Sequence, residues 1–257
     1  MNKEQDAKEF YDNIASNYSG EHKDRFADKI LEHFMLAKIP IQKNLKILDL
    51  GSGIGRFAKP LLERGHEVTL VEISMNMLNE SKKELKNFSK ASFHVDSATN
   101  LSQFKENSFD VVLVMNAILD YCGDYKKALN EIYRILKEKG ILMGNVNNRF
   151  IYCRRRELKE EDYDLFEKNM FSGDRYICWA EQKKGHVSHE FTLDELKDSL
   201  IKSKFKIKNI LGVFNLLDKY DLENVKNKNR FLKLQIEFAE KEEYINNSQD
   251  FFFVAEK

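Results

Sequence analysis

Lys46-Ile47-Leu48-Asp49-Leu50-Gly51-Ser52-Gly53-Ile54-Gly55 is an apolar run that ends in three glycines at alternate positions. The run reads as a buried strand, and glycines at its carboxyl end let the backbone turn sharply and approach a ligand closely. About 20 residues further on, Val68-Thr69-Leu70-Val71-Glu72 supplies a second strand ending in a carboxylate, a group that accepts both hydrogen bonds of a ribose diol. Together they indicate a nucleoside ligand at the edge of an α/β sheet.

The residue after the third glycine narrows the ligand. A dinucleotide fingerprint, G-x-G-x-x-G, seats a pyrophosphate on a helix N-terminus and needs a glycine for close helix packing at its last position. Counted from Gly51, that position is Arg56. A bulky cation there argues against NAD or FAD.

The pattern D-x-G-x-G-x-G resembles motif I of the class I, Rossmann-like S-adenosylmethionine-dependent methyltransferases of small-molecule type, and the resemblance runs over about residues 8–213. It implies that Asp49, Gly51, Ser52, Gly53 and Gly55 hold the amino-acid end of S-adenosylmethionine and that Glu72 binds its ribose. Ile73-Ser74-Met75-Asn76-Met77-Leu78 resembles the family's continuation into a helix beside the adenine, which puts Ile73 and Met77 on the ligand, with Ser74 as N-cap. Asp96 in Val95-Asp96-Ser97-Ala98 looks like the residue that reads the adenine amino group. One extra residue before Leu101 leaves either Asp96 or the backbone of Ser97 and Ala98 to make the contact. Met115 and Asn116 end the family's fourth strand on the same side. Phe10-Tyr11-Asp12-Asn13-Ile14-Ala15-Ser16-Asn17-Tyr18 resembles an N-terminal lid, whose Tyr11 and Tyr18 would cover the sulfonium. An amphipathic helix packing its aromatics on the sheet fits the same residues.

Strands are expected at 45–50, 67–72, 92–95, 109–115, 140–146, 205–214 and 251–255, and crossover helices at 54–64, 74–88 and 124–137. Right-handed crossovers make this a doubly wound, seven-stranded, mostly parallel sheet, with the last strand antiparallel as the resemblance implies. Thr192 reads as a helix cap with Glu195 completing a capping box, and a further helix is expected around 230–243. The whole of 1–257 is expected to be one methyltransferase domain. It divides into a helical lid at 1–40, a cofactor core at 41–148, and insertions after strands 5 and 6, at 149–190 and 215–248, that meet the substrate.

Composition bounds the function. The 42 basic and 42 acidic side chains cancel, which argues against a phosphate-tracking surface. Arg154-Arg155-Arg156 and the spaced lysines 202, 204, 206 and 208 remain local basic clusters that keep an RNA-modifying alternative open. No apolar run approaches the roughly 18 residues of a membrane span, and the first residues lack a signal-peptide core, so a cytoplasmic protein without membrane association is expected. Cys122, Cys153 and Cys178 are too scattered for a disulfide frame or zinc cluster, and no metal is expected.

The resemblance implies direct, in-line methyl transfer to an oxygen or nitrogen of a small-molecule acceptor. A non-catalytic S-adenosylmethionine-binding regulatory protein is the other alternative. If a proton must leave the acceptor, His189, His186, Asp120 and Tyr121 are the candidate bases by position. Oligomeric state has no signal in the sequence.

Overall fold

The computed structural model describes residues 3–21, 25–178 and 185–257. Two helices, α1 (Lys3–Glu21) and α2 (Phe26–Lys38), precede β1 (Lys46–Leu50). Then follow α3 (Ala58–Glu63), β2 (Glu67–Glu72), α4 (Met75–Glu84), β3 (Ala91–Val95), β4 (Phe109–Val114), α5 (Ile118–Tyr121), α6 (Tyr125–Ile135) and β5 (Leu136–Asn147). The second half holds α7 (Arg149–Cys153), α8 (Tyr163–Ser172), β6 (Asp174–Ile177), β7 (His186–His189), α9 (Leu193–Lys202), β8 (Lys206–Val213), α10 (Lys228–Phe238), α11 (Glu242–Asn246) and β9 (Asp250–Glu256).

Seven strands form one sheet in the order β3-β2-β1-β4-β5-β9-β8. The first five are parallel, and β9 runs antiparallel between β5 and β8. Because the chain leaves β1 first toward β2 and later toward β4, the switch point lies between β1 and β4, where open α/β sheets bind ligands. Alternation along β9 shows how both faces are sealed: Phe252 joins the core under α2, α3 and α10, whereas Phe251 and Phe253 join the core under α6 and α9. Helix α1 lies apart, packing Phe10, Ile14 and Ala15 against Ile54 and Met77.

Several expected boundaries shift for local reasons. Helix α3 starts only at Ala58, because residues 54–57 turn tightly, with Gly55 N–H on the Ser52 carbonyl at 2.9 Å. Helix α4 stops at Glu84 rather than 88, where Leu85 N–H closes on Ser81. Strand β5 begins at Leu136, four residues early, since Leu136 already pairs with Phe109 ahead of an irregularity that absorbs Lys139 at φ 62°. The helix expected at 230–243 is two helices, broken where the Ala239 carbonyl accepts Gly212 N–H of β8 at 2.8 Å. Thr192 caps α9 by accepting Glu195 N–H at 3.1 Å. The Glu195 carboxylate does not complete the box; it bonds Arg149, His189 and Tyr125 instead.

Candidate functional site

The carboxyl ends of β1, β2, β3 and β4 converge on one cavity, at the sheet edge where open α/β folds bind ligands. Its floor is the glycine loop. Gly51 and Ser52 N–H groups both donate to the Val71 carbonyl, at 2.7 and 3.1 Å, which folds the loop over β2. Glu72, buried at the end of β2, pins the loop from the other side: Oε2 accepts Gly53 N–H at 2.8 Å and Oε1 accepts Ser74 N–H at 3.0 Å. Burial pushes the Glu72 carboxyl above its ordinary range, against the backbone donors that lower it. Each carboxylate oxygen keeps a second lone pair for a ligand hydroxyl.

Glu72, Ile73, Met77, Asp96, Ala98, Met115 and Asn116 all reach this wall, as do Gly51, Ser52 and Gly53. Asp96 accepts Ser97 N–H at 2.8 Å and the Gln103 amide at 2.7 Å, while Ser97 turns away to Thr99. Asp49 and Gly55 stand behind the wall. Burial, aided by Glu72, lifts the Asp49 carboxyl to about 7, and its Oδ2 has no partner. The Ser52 Oγ on the wall is likewise buried without a partner.

Gly53 on the wall and Gly55 behind it separate binding from folding. A Cβ added at Gly53 meets no atom within 4 Å, so the backbone there faces open space. At Gly55 it would lie 2.8 Å from Leu85 Cδ1 and 3.3 Å from Ser81 Cβ. We expect Gly53→Ala, at φ +53°, to cost only about 1–2 kcal/mol of stability for its left-handed backbone while weakening nucleoside binding at least about tenfold. Gly55→Ala adds overpacking of about 1–3 kcal/mol to the same strain. Calorimetric titration beside urea unfolding separates the two; equal affinity for Gly53→Ala and wild type would remove the loop from the binding site.

Helix α1 roofs the cavity with Tyr11 and Tyr18. It is tied down at its start and at its middle: Lys3 pairs with Asp174 at 2.5 Å, and Asp12 accepts the Ser74 hydroxyl at 2.6 Å. Arg56 pairs with Asp28 of α2 and lies over the Tyr18 ring, 5.6 Å from its centroid.

Beyond Tyr11, Tyr18, Arg56, Asn116 and Tyr121, which line both spaces, opens a second, wider basin. Its wall carries six basic side chains (Arg25, Arg56, Arg155, Lys159, Arg175, Lys219) against three acidic ones (Asp28, Glu160, Asp250). Asn116 and Ala117 are successive left-handed residues, at φ 57° and 63°, in the turn after β4; such backbone costs on the order of 1–3 kcal/mol per residue and gathers at functional sites. It is held by Asn116 N–H on Asn145 Oδ1 at 2.8 Å, with the Asn145 amide on Asp250 at 2.8 Å.

The candidate bases fare unequally. Tyr121 stands between the two cavities, its hydroxyl kept protonated by burial and by the neighbouring Asp120. Asp120 itself is off both walls: Oδ1 accepts Asn147 N–H at 2.9 Å inside the core, and burial raises its carboxyl well above the ordinary range. His189 is also off both walls, bridging Asp174 and Glu195 at 3.0 Å each and stacked on Tyr125. His186 packs on Phe10 and Tyr121. The spacing of these residues after β4 and before α9 points to the cavity, but of the four only Tyr121 reaches it, and the side chains of Asp120, His186 and His189 serve the framework. Missed entirely were Asn145, Asn147, Tyr152, Lys219 and Asp250 of the basin. The polar residues interrupting apolar β5 were the available signal for the first two.

Arg155 of the basic triplet turns inward to Asp218, and Arg154 lies over Phe150 at 5.5 Å, so these two do not share an outward groove. Among the described residues no helix is long and apolar enough to cross a membrane.

Comparison with known proteins agrees with the geometry. Residues 48–144 match the model of a methyltransferase domain. The chain is 30% identical to a malonyl-[acyl-carrier protein] O-methyltransferase of Buchnera aphidicola over 52% of its own length and 51% of that protein. It is also 30% identical to the tRNA 5-carboxymethoxyuridine methyltransferase of Escherichia coli, over 51% and 54%. The chain thus spans about half the length of these curated relatives. In fold it resembles a Burkholderia thailandensis 1,6-didemethyltoxoflavin-N1-methyltransferase at TM-score 0.64 and 18% identity, covering 100% of this chain and 90% of that one.

Proposed function

The chain carries a class I S-adenosylmethionine-dependent methyltransferase domain, and from that premise we propose that it moves a methyl group to an oxygen or nitrogen of a small-molecule acceptor. The observation that carries this is the shared wall. A cavity at the switch point opens directly, past Tyr11, Tyr18, Asn116 and Tyr121, into a separate basin for a second reactant. The relatives' names include an oxygen acceptor and a nitrogen acceptor, and this breadth supports the same reaction class without choosing its substrate. A tRNA-modifying relative is among them, but here Arg155 turns inward to Asp218.

Bound in the inner cavity, S-adenosylmethionine supplies a methyl already activated on a sulfonium. We assign Glu72 to the ribose and Gly51, Ser52 and Gly53 to the amino-acid end. Asp96 with Ala98 reads the adenine edge, Ile73, Met77 and Met115 pack against the ligand, and Tyr11 and Tyr18 close over it. The partnerless Ser52 hydroxyl and the open face of Gly53 fit a polar ligand there. The chain's contribution is to align two reactants and exclude water, effects worth up to about 7–11 kcal/mol. Residues 1–40 act as the lid, and 149–190 with 215–248 shape the acceptor side; of these, 1, 2, 22–24 and 179–184 lie outside the described residues.

The test is calorimetric titration with S-adenosylmethionine, S-adenosylhomocysteine and NAD. Binding of the first two alone is expected; binding of NAD alone would overturn the assignment. Transfer of labelled methyl to a metabolite extract then separates an enzyme from a binding module.

A further inference from the structure

Three cations gather at one end of the basin around two tyrosines. The Arg175 guanidinium and the Lys219 ammonium lie 5.2 and 5.1 Å from the Tyr152 ring centroid. Arg155 and Lys219 lie 5.6 and 5.9 Å from that of Tyr220. All five side chains line the basin.

Their counterions sit mostly behind them. Glu190 takes Arg175 Nε at 2.8 Å and Nη2 at 2.5 Å from the core side, and is itself fully buried. Asp218 pairs with Arg155 without lining the basin. Only Asp250, 3.4 Å from Lys219, shares the wall with its cation. The carboxylates therefore orient the cations and leave a positive face toward the space, and neither bond to Glu190 uses Arg175 Nη1. In a chain whose basic and acidic residues are equal in number, this excess is a local concentration rather than a compositional one. Like charges held close in a recess repel, and an anion relieves that repulsion. A guanidinium presents a planar fork that matches an oxyanion.

Resting on the methyl-transfer reading, we propose that the acceptor is a small organic oxyanion, a carboxylate or phosphate monoester, gripped by Arg155, Arg175 and Lys219. Arg175 is only 8% exposed, a depth suited to a free acid entering the basin rather than to a polymer backbone passing over it. The grip orients the acceptor so that its nucleophilic atom meets the methyl beside Tyr121 and Asn116, where the two cavities join.

The experiment compares benzoate, phenyl phosphate and benzamide, one ring with and without charge, by calorimetric titration of the protein with and without S-adenosylhomocysteine. At least one anion is expected to bind tenfold or more tighter than benzamide, and the stronger of the two names the oxyanion. In Arg155→Gln/Lys219→Gln that preference should fall below about twofold, with S-adenosylhomocysteine affinity unchanged, since neither residue lines the inner cavity. Benzamide matching both anions, no detectable binding of either anion, or a preference that survives in the variant overturns the proposal. Loss of the methyl-transfer reading shows separately, as failure of S-adenosylhomocysteine to bind at all, and the titrations without it still decide the anion preference.

Discussion

Glu190→Ala is expected to lower the unfolding free energy by about 3–5 kcal/mol, the usual result of removing one partner from a buried ion pair. Glu190 follows β7 with no solvent exposure, and its Oε1 receives both Nε and Nη2 of Arg175. Its backbone also ties the segment together, the carbonyl accepting Arg149 Nε at 2.9 Å and the N–H donating to Gly173. Alanine keeps those backbone bonds but leaves the guanidinium, itself nearly buried, without that counterion. The price is therefore the desolvation of a lone charge rather than the loss of one attractive contact. Replacing both partners, as Arg175→Met/Glu190→Met, should recover much of the loss, because burying no charge is often as good as burying a pair. Urea unfolding of the single and double variants measures this. A single-variant loss under about 1 kcal/mol would show that the β6–β7 hairpin is held by other contacts.

That hairpin is also where the sequence is least legible. Each of its strands is four residues long, and Asp174-Arg175-Tyr176-Ile177 shows no clean alternation of apolar and polar positions. The strand depends on partners far along the chain: Glu190 for Arg175, and Lys3 of the first helix for Asp174. Local pattern carries no trace of such pairings. The opposite case is β1, where four buried residues after an exposed first and a glycine loop announce both strand and ligand edge. Triple phenylalanine in β9 is equally plain, since a strand sealed on both faces needs apolar residues at every position.

Between these extremes lie residues whose type was read correctly and whose use was not. Glu195 has the spacing of a capping-box carboxylate, yet Arg149 and His189 stand within its reach and claim it. His189 and Asp120 have the chemistry of bases but point into the framework, because a side chain's direction depends on which element packs over it. The cofactor side of the site is built from consecutive strand ends, which sequence order reveals. The wider basin is built from residues as distant as Arg25 and Asp250, and only the folded chain brings them together.

Glu72→Ala should weaken S-adenosylmethionine binding by about 1.5–3 kcal/mol, the range for hydrogen bonds to a charged group, or about 10–150-fold. The carboxylate does two things at once. It accepts Gly53 N–H and Ser74 N–H, fixing the glycine loop against the start of α4, and it offers the remaining lone pairs toward the cavity. Alanine removes both functions, so affinity must be read beside unfolding in urea, where a loss of about 1–3 kcal/mol is expected for each donor left buried and unsatisfied. Glu72→Gln divides the roles: its amide keeps one acceptor oxygen but turns a donor toward the other backbone N–H. A pH series gives a third readout. Because burial raises the Glu72 carboxyl, protonation begins above the ordinary glutamate value of about 4.3, and it removes an acceptor from the ribose. Affinity should therefore fall as pH drops through that raised range, and the fall should vanish in Glu72→Gln. Unchanged affinity in a folded Glu72→Ala would withdraw the ribose from Glu72 and leave recognition to the loop backbone alone.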